Sequence, residues 1–242
     1  MSAILEVKNI RKNFLLHILN DKEIEALDDV SFTQNEGEII GLTGKSGSGK
    51  SSLMKCIYRT YLCSEGEMIY NSDIYGEIDL IKATEHQILR IRLEEMTYCS
   101  QFLSVIPRVP AVEVVAGRLI HEGIDFNEAL ERARDRLDNL GLPRELWDAF
   151  PSTFSGGEQQ RVNVARAILG KPRYLLIDEP TASLDPKTKD VVIDMILGLK
   201  DVGTSVVLIT HDKYALERMS DRRFHLASGR LEEVEVASTL AL

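Results

Sequence analysis

Cysteine is scarce: 242 residues hold three, Cys56, Cys63 and Cys99. Their odd number, with neither C-x-x-C pairs nor histidine-rich spacing, excludes a disulfide framework and a zinc site, so they are read as reduced, mostly packed thiols. No apolar run approaches the roughly 18 residues that a membrane-crossing helix requires. The opening residues Met-Ser-Ala-Ile-Leu-Glu-Val-Lys lack the basic and apolar regions of a signal peptide, so a cytoplasmic location is expected. Positive charge is also in deficit. Twenty-nine Lys plus Arg face 38 Asp plus Glu, a net charge of −9, which gives no electrostatic pull toward nucleic acid or anionic lipid. Repeats, low-complexity tracts and linker-like stretches are missing, which favours one domain over residues 1–242. What remains is an ordinary globular composition, 44% hydrophobic and 28% charged, that can bury its own core.

Residues 4–33 alternate in short segments around a polar stretch from Asn20 to Glu25, the pattern of a small antiparallel β-region. Glu38 to Thr43 reads as a strand ending in glycine, and Lys50 to Arg59 carries Leu53, Met54 and Ile57 at helical spacing. Ala111 to Leu140 has helical periodicity up to the breaker pair Gly141-Leu-Pro143. Tyr174 to Ile177 and Val206 to Ile209 are near-continuous apolar runs, as expected of strands buried on both faces of a parallel sheet. Between them Asp185-Pro186 opens a crossover helix, with Val191, Val192, Met195, Ile196 and Leu199 as its stripe and Gly203 past its end. A right-handed βαβ unit follows from that order.

Residues Gly44, Lys45, Ser46, Gly47, Ser48, Gly49, Lys50 and Ser51 fit G-x-x-x-x-G-K-[ST], with a strand before and a helix after. In such a loop backbone N–H groups wrap a nucleotide's phosphates, the lysine reaches the β and γ phosphates, and the serine hydroxyl ligates Mg²⁺. Asp178 and Glu179 follow the buried strand at its carboxyl end, where ligands of open parallel sheets bind. There an Asp can hold the Mg²⁺ shell and a Glu can polarise the attacking water. Ser155 and Glu158 alone satisfy a helix capping box. Gly156 and Gly157, each costing a helix roughly 1 kcal/mol relative to alanine, are better explained by an anion site at that helix start.

The run Ser155-Gly-Gly-Glu-Gln-Gln-Arg161, 17 residues before Asp178, resembles the signature of ATP-binding cassette (ABC) ATPases. The other elements of that family follow in order along the whole chain. The resemblance implies an α/β fold of the P-loop NTPase (RecA-like) type, with a parallel-sheet core, an antiparallel β-subdomain, and a helical signature subdomain over about 102–168. It implies Phe14 stacking on adenine, with Ser52 a hydroxyl in place of the usual threonine. It implies Gln101 near Mg²⁺ in the Q-loop, Ser183-Leu-Asp185 as the D-loop, and His211 contacting the γ phosphate. On that resemblance Lys50, Gln101, Glu179 and His211 are expected to form the catalytic set, and Ser51, Gln101 and Asp178 the metal set. The P-loop, Phe14, Gln101, Ser155, Gly156, Gly157, Glu158 and Asp185 are expected to bind ATP. Because a signature closes over the ATP of another subunit, a homodimer or a heterodimer with a second cassette is implied. Glu158 and Phe154 depart from the commonest signature, which has glutamine and leucine there.

Residues 100–110, Leu142 to Trp147, and the stretch from Pro151 to Asn163 resemble a cassette subunit of the bacterial phosphonate C–P lyase system. That likeness implies a partner in the soluble C–P lyase core complex. The alternative is the nucleotide-binding subunit of a lipoprotein-release or macrolide-exporter transporter, which needs a transmembrane partner near Gln101. A third class is a scaffold that binds ATP and barely turns it over. The segment Phe102 to Pro110 is read as a docking loop, against the plainer alternative that Phe102, Leu103 and Ile106 fill the core.

Overall fold

The computed structural model of the chain describes residues 2–16, 22–104 and 107–234. It divides into two compact units. The first comprises residues 1–95, 205–209 and 220–242, so far as they are described. Here β1 (Ala3–Leu16) and β2 (Lys22–Asn35) form an antiparallel ribbon, with Val7 opposite Phe32 and Phe14 opposite Ile24. The other side of β1 pairs with β4 (Glu65–Ser72), and β5 (Gly76–Asp79) completes a sheet of order β2-β1-β4-β5. The polar stretch expected as a connection is partly strand, since Lys22 to Glu25 belong to β2. Ladder bonds are indifferent to side-chain polarity on a solvated face, and Asn13 Nδ2 donates across the ribbon to Glu23 Oε1 at 2.7 Å.

The second sheet of this unit is built on β3 (Ile39–Thr43), flanked in parallel by β8 (Ser205–Ile209) and β9 (Arg222–Ala227), with β10 (Arg230–Val234) antiparallel on β9. Every residue of β8 is buried, as its uninterrupted apolar run requires. Helix α1 (Lys50–Ile57) buries Leu53, Met54, Cys56 and Ile57, each large apolar side chain contributing about 1.5–3 kcal/mol of burial. Helix α2 (Glu85–Glu94) starts at a complete capping box of Thr84 and Gln87.

The second unit holds residues 96–204 and 210–219. Its strands β6 (Met96–Cys99) and β7 (Tyr174–Asp178) pair in parallel. The region expected to be helical from Ala111 to Leu140 is two helices, α3 (Ala111–His121) and α4 (Phe126–Asn139). Gly123, at φ +87°, turns the chain, and Asp125 caps α4 by accepting from the N–H groups of Asn127 and Glu128. Helix α5 (Gly156–Leu169) packs on α3 and α4, and its Val162, Ala165, Ile168 and Leu169 are all buried. Helix α6 (Pro186–Asp201) begins at Asp185 and buries Val192, Ile193, Ile196 and Leu199, while α7 (Lys213–Met219) follows His211.

Candidate nucleotide site

The phosphate loop runs from the end of β3 into α1. Gly44 and Gly49 hold φ of +143° and +107°, and a Cβ on either would run into a carbonyl oxygen, of Leu226 or Ala26 respectively. Only glycine fits both the dihedral and the space. Lys45, Ser46 and Gly47 are exposed, and Ser48 and Gly49 are half-buried. The α1 N-terminus has no side-chain cap, and such a positive helix end is a place where an anion binds. Lys50 is only 7% exposed and donates from Nζ to the carbonyls of Gly44 (2.7 Å) and Lys45 (3.0 Å), so its charge is held at the mouth of the loop. Ser51 is exposed and Ser52 half-buried in the first turn. In the same unit Phe14 is half-buried, with its ring edge-on to Tyr61 at 5.1 Å and the Lys12 ammonium 4.7 Å from its centroid. It is therefore not a core residue.

In the second unit Asp178 ends β7, buried to 5%, and Glu179 takes φ +53° immediately after it. His211 Nε2 lies 3.6 Å from Glu179 Oε1, and the His211 N–H donates to Glu179 Oε2 at 3.5 Å. The histidine ring is exposed, while the Glu179 carboxylate beside it is mostly buried. The segment after His211 is fixed by Asp212, which accepts from Lys189 Nζ at 2.8 Å. That bond, together with the lysine charge and backbone donors of α7, holds the Asp212 carboxyl below its usual range.

The Ser155 turn realises the capping box. Ser155 Oγ accepts from the Glu158 N–H at 3.4 Å, while Glu158 Oε2 accepts from Ser155 N at 2.7 Å and from Ser155 Oγ at 2.8 Å. Those bonds lower the Glu158 pKa. Gly156 is exposed with open space where a Cβ would be, whereas a Cβ on Gly157 would stand 2.9 Å from the Ser183 carbonyl oxygen. The two glycines thus have different reasons: one leaves room outward, the other lets helix and D-loop touch. Gln101 and Phe102 are exposed and line a cleft of about 110 Å³ with Gly156, Gln159, Gln160 and Ser183. Phe102 is 77% exposed, which excludes it from the core, while Leu103 is buried; Ile106 lies outside the described residues.

Two residues of this site carried no assigned role in the sequence. Gln160 donates to the Glu179 carbonyl at 2.9 Å, and Arg161 donates to Asp185 Oδ2 at 2.8 Å and to the Gly141 carbonyl at 2.9 Å. A glutamine among the mostly apolar residues that α5 buries was the available signal. Asp185 caps α6 as expected and, held first by Thr188 and then by Arg161, has its pKa drawn down to about 2.

The donor set suits Mg²⁺, a hard cation that takes oxygen ligands and keeps few protein contacts when phosphates supply the rest. Among the described residues no cluster of three or more His, Cys, Asp or Glu could hold a metal unaided. Ser51 of the first unit offers a hydroxyl oxygen, and Gln101 and Asp178 of the second offer an amide oxygen and a buried carboxylate; each is a donor type that Mg²⁺ takes.

The ABC transporter family model matches residues 27–182. The lipoprotein-releasing system ATP-binding protein LolD of Rickettsia bellii (strain RML369-C) is 37% identical over 232 residues, covering 95% of this chain and 98% of the relative. The oligopeptide transport ATP-binding protein OppF of Bacillus subtilis (strain 168) is 30% identical over 246 residues, covering 98% of this chain and 77% of the relative. The dimeric post-hydrolysis structure of the ATP-binding cassette MJ0796, bound to ADP and Pi, matches with a TM-score of 0.84 at 29% identity, over 96% of this chain and 99% of that one. This chain belongs to the ABC transporter family, and it is an ATPase with the mixed α/β fold of an ABC nucleotide-binding domain. The finer resemblance, to the PhnL subunit of the C–P lyase system, finds no support in these relatives, which are transporter subunits.

Proposed function

We propose that the chain is the nucleotide-binding subunit of an ABC transporter of the lipoprotein-release type, working as a dimer of cassettes at the cytoplasmic face of a transmembrane partner. The observation that carries this reading is the end-to-end relation to a lipoprotein-releasing ATP-binding protein, at 95% of one chain and 98% of the other. The exposed Phe102 beside Gln101 supports it, as an apolar contact for a membrane-embedded subunit. The 242 residues then act as one cassette, with the helices of about 102–168 as its signature subdomain.

In this reading the loop from Gly44 to Ser51 binds the triphosphate through backbone N–H groups. Lys50 turns its ammonium from the Gly44 and Lys45 carbonyls to the β and γ phosphates. Phe14 stacks on adenine. Ser51, Gln101 and Asp178 would hold Mg²⁺, which when bound offsets the charge of the phosphates. Glu179 accepts a proton from the attacking water as its oxygen bonds to the γ phosphorus and ADP leaves. His211, beside that carboxylate, contacts the γ phosphate. Ser155 and Gly156 of a second copy close on the same phosphate, so closure follows binding and opening follows hydrolysis.

The C–P lyase reading rests on residues 100–110, 142–147 and 151–163 alone and is an outcome of the same test. Affinity capture of the tagged full-length chain from detergent-solubilised cells is expected to recover a multi-span membrane protein. Recovery of C–P lyase core subunits without any membrane protein overturns the transporter assignment. Glu179→Gln is expected to abolish phosphate release while an ATP-held dimer accumulates; equal and negligible release by wild type and variant would indicate the scaffold class instead.

A further inference from the structure

We infer that Gln160 is a positioning residue for Glu179, and that through it the signature helix α5 aims the general base of its own chain. The inference deepens the reading in which Glu179 is the base and the Ser155 turn meets a nucleotide held by another copy. Gln160 is 5% exposed, and its Nε2 donates to the main-chain carbonyl of Glu179 at 2.9 Å. Glu179 sits at φ +53°, a conformation that costs a non-glycine residue about 1–3 kcal/mol and persists only where neighbours over-determine it. The dihedrals of this residue set the direction of its Cα–Cβ bond, and so where the carboxylate lies relative to His211. A donor locked onto the carbonyl fixes that direction.

Gln160 does not act alone. Gly157, Gln160 and Arg161 occupy positions i, i+3 and i+4, one face of α5. All three touch the segment 179–185: Gly157 against the Ser183 carbonyl, Gln160 on the Glu179 carbonyl, and Arg161 on the Asp185 carboxylate. Ser183, at φ +60°, is a second left-handed residue within this clamped segment. A Cβ on Gly156, on the neighbouring side, would meet nothing within 4 Å. One helical turn therefore offers an open side to a phosphate and grips the base-bearing loop with another. A shift of α5 on nucleotide closure reaches Glu179 through a 2.9 Å hydrogen bond.

The test is steady-state phosphate release by the full-length chain, per folded molecule, for wild type, Gln160→Leu and Gln160→His, with Val164→Ala as a matched packing variant on the same helix. Misaiming a base typically costs about ten- to a hundredfold, so Gln160→Leu is expected to lower kcat by about that factor with KM for ATP within about twofold. Its pH–kcat profile shifts, and Gln160→His, which restores a donor, recovers part of kcat. Val164→Ala lowers Tm but keeps the wild-type profile. In a Glu179→Gln background, adding Gln160→Leu leaves the ATP-held dimer intact by size-exclusion chromatography. A kcat and pH profile of Gln160→Leu within about twofold of wild type overturns the proposal; should that variant not fold, failure of Gln160→His to differ from wild type in kcat together with failure of Gln160→Glu to lower it does so instead. Wild-type phosphate release by Glu179→Gln alone sinks the general-base reading and not the Gln160 contact, so the two failures are distinguishable.

Discussion

His211 approaches Glu179 twice, with its ring nitrogen 3.6 Å from one carboxylate oxygen and its backbone N–H 3.5 Å from the other. The backbone contact survives any substitution of the ring, whereas the imidazole contact does not. His211→Ala is therefore expected to keep ATP binding within about threefold, by fluorescent-nucleotide titration, and to lose phosphate release by about a hundredfold or more, the usual scale for a proton-handling group. Loss of binding in parallel with turnover would show that the ring serves ground-state affinity instead.

Glu158 places a carboxylate where a glutamine would make the same cap contacts without charge. In the proposed dimer that carboxylate lies on the turn that meets a triphosphate, and two like unit charges 4 Å apart repel by about 1 kcal/mol even at the dielectric of bulk water. Glu158→Gln is expected to lower the ATP concentration for half-maximal dimerisation by about fivefold while the thermal melting point stays within a degree or two. Light scattering against ATP concentration reads this directly.

Gly49 combines φ +107° with a carbonyl oxygen in the place of any Cβ. Gly49→Ala is expected to cost about 2 kcal/mol of stability and to remove nucleotide binding, measurable by urea unfolding and by titration. Gly156→Ala, with open space around it, is expected to leave stability unchanged or slightly raised, and to impair only dimer closure.

Asp185 has its pKa drawn down from 3.8 to about 2, first by Thr188 and then by Arg161. A carboxylate with a depressed native pKa stabilises the fold fully above its unfolded value and loses that stabilisation as pH falls through the native one. Melting curves of wild type and Asp185→Asn should thus differ at neutral pH and converge between about pH 4 and pH 2. A difference that is constant across that window would show that the carboxylate's charge is not what Arg161 and Thr188 hold.

The three thiols are unequal. Cys63 is half-buried and its pKa is lowered, chiefly by a hydrogen bond from the Cys56 thiol and further by Lys12 and Arg59, while the same pairing pushes Cys56 up. Burial above all, with the Asp178 charge adding to it against the pull of Arg166, raises Cys99 to about 12. Iodoacetamide at pH 8 is expected to modify Cys63 at least about tenfold faster than Cys99, by mass spectrometry of the native protein.

The sequence by itself determined those features that depend on local chemistry. A phosphate loop needs glycines at fixed offsets, a signature turn needs a serine and small residues at a helix start, and a buried parallel strand needs an unbroken apolar run. Gly44 to Ser51, Ser155 to Gly157, and the strands ending at Asp178 and Ile209 were all legible for that reason. The break between α3 and α4 was not, because their apolar stripes share one period and only the turn at Gly123 separates them. Nor was the extension of β2 through Lys22 to Glu25, where pairing with β1 outweighs a polar composition. Only the tertiary structure decided that Gln160 reaches the Glu179 carbonyl, that Arg161 reaches Asp185, and that Cys56 meets Cys63. Each of those contacts joins side chains whose partners are set by how elements pack, and a linear pattern of residue types carries no information about which buried donor meets which distant acceptor.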